Sequence, residues 1–162
     1  MTKIVALVDG SIYSQSVCDH TAWIAARTDA SVEILHVIGR RQTATAPNNL
    51  SGNIALGART TLLEELSAHD VETAKLSQKL GRAIIEDAKA RIEGAGIANV
   101  TARLRIGDIV EAVTENEADA DIVVIGKRGE AADFAKLHLG SNLERIARSC
   151  SRPVFVAARA FT

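Results

Sequence analysis

Five short aliphatic runs recur along the 162-residue chain, each separated from the next by a polar or glycine-bearing break and by apolar residues at helical spacing. Few folds accommodate that alternation. A strand that leads through a helix to a parallel neighbour crosses over right-handedly, and repeated crossovers build a parallel sheet with helices on both faces. The expected fold is therefore an open five-stranded parallel α/β sheet. Its strands are Lys3 to Val8, Val32 to Ile38, Val100 to Ile106, Ile122 to Ile125 and Pro153 to Val156. The fourth reads as nearly continuous apolar sequence, as strands covered on both faces do. Pro153 stands at a strand's first position, where its missing N–H is tolerated.

Between the runs, Val17, Cys18, Thr21, Ile24 and Ala25 form a helical stripe with Ser14 as its expected N-cap, and Trp23 lies off that stripe. Leu76, Leu80, Ile84, Ala88 and Ile92 form an i+4 ladder closed by Gly94-Ala95-Gly96, which predicts a core-facing helix. Helical spacing starts near Ala58 and the core of that helix near Asp70. Arg40 to Gly57 has no periodicity, so about 39–70 reads as a variable loop or insertion within one domain spanning 1–162. Asp108 with Glu111, and Ser141 with Glu144, have the spacing of capping boxes. The helix after Ser141 carries Leu143, Ile146 and Ala147 on one face.

Composition removes several functional classes. Aromatic residues are only 3% of the chain, so the core is aliphatic and there is no stacking platform for single-stranded bases. Nineteen basic and twenty acidic residues leave a net charge of -1 without a polybasic tract, which argues against a nucleic-acid partner. Cys18 and Cys150 have neither metal-type nor redox-type spacing, so a reducing, cytoplasmic setting is expected. The run Ile4 to Val8 meets Asp9 at once, too short for a secretory core or a membrane span. His20, His36, His69 and His138 fall on separate elements, so no metal site is expected from the protein alone. His36, inside an apolar strand, reads as a hydrogen-bonded core residue. No nucleophile with an adjacent base stands out, and no catalytic residue is assigned.

Open parallel sheets bind ligands outside the carboxyl ends of their strands, where strand order reverses. The first run delivers Val8 and Asp9 to that edge. The fourth delivers Ile125, Gly126, Lys127, Arg128 and Gly129, and ten residues later Gly140-Ser141-Asn142 heads a helix. Glycines let backbone N–H groups approach phosphate oxygens, and a helix N-terminus adds unpaired donors. The same residues also suit a turn followed by a capped helix that needs no ligand. Spacing leaves both readings open.

The pattern Gly126-x2-Gly129-x10-Gly140-Ser141 resembles the ATP signature of the universal stress protein family. Ile4 to Ser11, Leu35-His36-Val37, Gly107-Asp108 and Arg152 to Val156 resemble that family's other blocks. The resemblance implies a Rossmann-like sheet of order 3-2-1-4-5 and a homodimer paired through the last strand, Pro153 to Val156. It also implies ATP, with Mg2+, held across the first and fourth strands. Asp9 would meet the adenine edge, with Val8 and Val37 lining the base. Ile125 delivers the segment in which Gly126, Arg128, Gly129, Gly140, Ser141 and Asn142 would hold ribose and phosphates. Two departures stand out: a ten-residue gap where the family usually has nine, and Glu130 and Asp133 beside the loop. The implied role is an ATP-binding regulatory or stress-response protein with slow or no hydrolysis and an unidentified protein partner. The alternatives are a nucleotide-independent interaction module of the same fold and a nucleotide-hydrolysing enzyme.

Overall fold

The computed structural model describes residues 1–39, 56–127 and 140–158. In chain order the elements are β1 (Lys3–Leu7), α1 (Tyr13–Thr28), β2 (Ser31–Ile38), α2 (Leu56–Gly94), β3 (Val100–Ile106), α3 (Ile109–Asn116), β4 (Ile122–Gly126), α4 (Ser141–Ser149) and β5 (Val154–Ala157), with one 3-10 turn at Glu117–Asp119. The five strands form one sheet in the order β3-β2-β1-β4-β5, and every pairing is parallel. The order reverses at β1, which has β2 on one side and β4 on the other.

Strand residues alternate between two aliphatic cores. Ile4, Ala6, Val32 and Ile34 pack with Val17 and Ala25 of α1 and with Ala88 and Ile92 of α2. Val5, Leu7, Leu35, Val123 and Ile125 pack on the opposite face with Val113 of α3 and with Leu143 and Ile146 of α4. Burying one such aliphatic side chain contributes about 1.5–3 kcal/mol, so each helix is held by packing more than by its own propensity. Ala147, expected on that face of α4, is exposed. Trp23, off the α1 stripe, is 48% exposed and stacks under the Arg27 guanidinium, 4.0 Å from its ring centre.

Strand positions follow the aliphatic runs within one or two residues, and β3 matches its run end to end. Three local expectations are corrected. Ser14 is not the cap of α1: the helix starts at Tyr13 behind Ile12, with no side-chain cap, because the Ser14 hydroxyl serves the preceding loop. Ser141 is not the cap of α4 either. It is the first helical residue, behind Gly140, and among the described residues no side chain caps the helix.

The third correction concerns the i+4 ladder. Ala88 and Ile92 are buried, but Leu76 and Leu80 are 62% and 58% exposed. At about 1.5 Å per residue, the 39-residue α2 is roughly 58 Å long. The eight-residue β2 reaches only about 26 Å. The ladder thus runs past the sheet before its apolar residues end. Helix α2 meets the sheet at Gly81, where an added Cβ would lie 2.9 Å from Leu104 Cδ1 and 3.2 Å from the His36 ring. Residues 56–70 of the expected insertion are therefore the first turns of this helix, while 40–55 lie outside the described residues.

Candidate functional site

The carboxyl ends of β1, β2 and β4 lie side by side. Leu7 pairs with Leu35, and two residues further stand Asp9 and Val37. Ala6 pairs with Val124 on the other side, two residues before Gly126. Val8 is buried and its N–H donates to Leu35 O at 3.1 Å. The carbonyl of Val8 faces His36 Nδ1 at 2.7 Å. A carbonyl only accepts, so that ring nitrogen carries the proton, and His36 is the hydrogen-bonded core residue its strand position implied. Val37 is half-buried, and Ile125 and Gly126 are buried.

The turn after β1 is closed by its own side chains. Ser14 Oγ accepts the backbone N–H of Asp9 at 3.2 Å and of Gly10 at 3.1 Å, and it donates to Asp9 Oδ1 at 3.2 Å. Asp9 Oδ1 also accepts the Ser11 N–H at 2.9 Å, and Ser11 Oγ accepts the Tyr13 N–H at 3.2 Å. Four backbone donors of this turn are consumed, so it is not a phosphate cradle. Asp9 Oδ2 has no partner among the described residues. Gly10 has φ 79°, a left-handed conformation that glycine adopts without steric cost.

The segment after β4 begins and ends at one point. Lys127 N–H donates to Ala157 O at 2.9 Å, and Gly140 N–H donates to Lys127 O at 3.1 Å. The Gly140 N–H is therefore already paired and is not a donor for a phosphate. The first intrahelical bond of α4 runs from Glu144 N–H to Gly140 O at 3.1 Å. Among the described residues no acceptor meets the N–H groups of Ser141, Asn142 and Leu143. These are the orphan donors of an uncapped helix N-terminus, where the macrodipole is positive. Ser141 and Asn142 are exposed beside them. Arg128 and Gly129, together with Lys136 and His138, lie outside the described residues.

A further tie fixes the start of α4. Gly107 N–H donates to Ile38 O at 3.0 Å, bringing the end of β3 against β2. Asp108 then caps α3 by accepting the Glu111 N–H at 3.4 Å, as its spacing implied. Its other oxygen accepts from Arg145 Nη2 of α4 at 2.9 Å. Hydrogen bonding from Arg145, then from the capped backbone, holds the Asp108 carboxyl below the usual carboxylate range. Sequence reasoning missed Arg145, gave Ser14 the role of a helix cap, and did not foresee the backbone contacts of Lys127. The cluster Asp9, Ser11, Ser14 was the available signal for Ser14, because such side chains close turns locally. The Lys127 and Arg145 contacts are tertiary and had none.

Among the described residues no three His, Cys, Asp or Glu side chains form a metal-binding group, and no helix is long and apolar enough to cross a membrane. A parallel sheet that reverses order at β1, with buried Gly126 beside that point and the N-terminus of α4 tied to the end of β4, defines a doubly wound α/β protein, and the carboxyl edge of such sheets is where they bind ligands. The model of the "Universal stress protein family" matches residues 1–158, and the chain belongs to that family. It is 35% identical over 162 residues to universal stress protein Slr1230 of Synechocystis sp. (strain ATCC 27184 / PCC 6803 / Kazusa), covering 99% of this chain and 56% of that protein. The chain thus spans a little over half the length of this curated relative. A universal stress protein in complex with cAMP superposes with a TM-score of 0.62 at 22% identity, covering 98% of each chain. The universal stress protein of Archaeoglobus fulgidus in complex with dAMP superposes with a TM-score of 0.57 at 17% identity, covering 97% of each chain.

Proposed function

We propose that this chain is a regulatory stress-response protein that binds ATP, carried with Mg2+, across the ends of β1 and β4, with slow or no hydrolysis. The observation that carries the reading is the N-terminus of α4, where the N–H groups of Ser141, Asn142 and Leu143 have no acceptor among the described residues. A phosphate group satisfies such donors and the positive end of the helix together. The donors of the β1–α1 turn are already paired, so the phosphates belong to the segment from Gly126 to Asn142, with Arg128 and Gly129 inside it. The metal would arrive coordinated by the phosphates, because Mg2+ keeps several waters and few protein ligands.

The base belongs between Val8 and Val37, with Asp9 Oδ2 as acceptor for the adenine amino group. Guanine presents a carbonyl at that position and would face the carboxylate unfavourably. Two similar structures hold adenine nucleotides, cAMP and dAMP, by their own descriptions, which supports the adenine part of the reading. We further propose a homodimer through the edge strand β5, which presents Val156 at 43% exposure and has no further strand beside it among the described residues.

The test is chromatography of the supernatant after denaturing purified protein, made as wild type and as Asp9→Ala. The reading predicts an adenine nucleotide released from wild type and a loss of base selectivity in Asp9→Ala that exceeds its loss of phosphate affinity. If wild type releases nothing and ignores added nucleotide, the fold serves as a nucleotide-independent interaction module.

A further inference from the structure

Helix α2 is the element that the sheet and its crevice leave unexplained. Its buried residues are Gly81, Ile85, Ala88 and Ile92, all in its last 14 positions. N-terminal to Gly81 no described side chain is buried, and Val71, Leu76 and Leu80 are 53%, 62% and 58% exposed. Between Thr61 and Leu80 the helix therefore runs 20 residues, about 30 Å, with none of its described side chains buried.

From Glu64 onward the charge is sorted by sign, after Arg59: Glu64, Glu65, Asp70 and Glu72 come first, followed by Lys75 and Lys79, with Arg82 just past Gly81. Among the described residues none of Glu64, Glu65, Glu72, Lys75, Lys79 and Arg82 belongs to an ion pair. Lys75 and Lys79 stand at i,i+4 and Lys79 and Arg82 at i,i+3, spacings at which like charges weaken an isolated helix. An acidic block followed directly by a basic block is complementary to its own reverse. In an antiparallel arrangement that sets Glu72 level with the partner's Lys75, Glu65 comes level with the partner's Arg82. A two-fold axis makes each pairing occur twice. Leu76 and Leu80 lie inside the same stretch and would lose water on contact.

We infer that the projecting half of α2 is an interaction surface for a second copy of this chain, paired antiparallel through these charge blocks. Identical copies meet the pattern without any second sequence having to match it. Exposed ion pairs are screened, so the contact weakens with added salt. It is separate from pairing through β5, which lies at one edge of the sheet, whereas α2 packs on β2 and β3.

The experiment is sedimentation velocity on the full chain carrying Val156→Asp, which places a charge on the β5 edge and leaves α2 untouched. One variant adds Lys75→Glu, Lys79→Glu and Arg82→Glu; the other adds Glu64→Lys, Glu65→Lys and Glu72→Lys. Circular dichroism confirms that each is folded. The proposal predicts that the parent self-associates at low salt and less at high salt. Each reversal variant should self-associate about tenfold more weakly, and a one-to-one mixture of the two should form a heterodimer. A parent that stays monomeric, reversal variants that associate like the parent, or a mixture that stays monomeric would each overturn it.

Discussion

Replacing Gly10 with alanine tests the turn that carries Asp9. The backbone there has φ 79°, and an added Cβ would stand 2.8 Å from Ile84 Cδ1 and 3.2 Å from Ile84 Cγ1. Two costs follow. The left-handed conformation costs an L-residue about 1–2 kcal/mol. The contact falls on the end of a flexible side chain, so Ile84 can turn aside for about 0.5–1 kcal/mol of rotamer strain. Together they give about 1.5–3 kcal/mol, a sizeable share of the roughly 5–15 kcal/mol that holds an ordinary domain folded. For a chain of this length the melting temperature should fall by about 4–10 °C. Urea denaturation followed by circular dichroism measures the loss directly. Repeating Gly10→Ala in an Ile84→Val background separates the terms, because valine lacks the Cδ1 atom. The loss should shrink without vanishing. A loss below about 0.5 kcal/mol in the first variant, or none in the second background, would refute the assignment of strain to the backbone.

Three further outcomes are expected. Ser14→Ala strands the N–H groups of Asp9 and Gly10 and should cost about 1–3 kcal/mol in the same urea experiment. The Asp108 carboxyl is held below its usual range, first by Arg145, so its contribution is present above the unfolded value and lost as pH falls through the folded one. Stability of Asp108→Asn should therefore converge on wild type in acid and fall short of it at neutral pH, read from denaturation midpoints across pH. Burial pushes the Cys18 thiol up to about 12, and burial with the Glu117 hydrogen bond raises Cys150. A chromogenic disulfide reagent near neutral pH should label both slowly in the native chain and promptly after unfolding, with Cys18 the slower.

The strands were legible because a doubly covered parallel strand such as β4 needs an unbroken aliphatic run, and because apolar and polar residues alternate along Val100 to Ile106, which became the edge strand β3 without change. Asp108 was legible because a capping carboxylate bonds within its own turn. Ser14 and Ser141 failed for the converse reason. The hydroxyl of Ser14 had a stronger local claim in Asp9 and Gly10, and Gly140, at φ -59° and ψ 141°, takes the cap position so that Ser141 is the first helical residue. Leu76 and Leu80 share the spacing of Ala88 and Ile92, yet only the latter reach the sheet. Periodicity records which residues share a face, not where the facing layer ends. At the site, Val8, Asp9, Val37, Ile125 and Gly126 converge because parallel register aligns strand ends. The Gly140 to Lys127 hydrogen bond joins residues 13 apart in sequence, so no local pattern announced it.

The central claim is that α4 offers its unmet N–H groups to the phosphates of an adenine nucleotide. Calorimetric titration of nucleotide-stripped protein with ATP and Mg2+, repeated with GTP, tests it most directly. The account predicts saturable heat for ATP, a higher melting temperature in its presence, and weaker binding of GTP. Absence of both heat and melting shift at millimolar ATP, or equal binding of GTP, would contradict it.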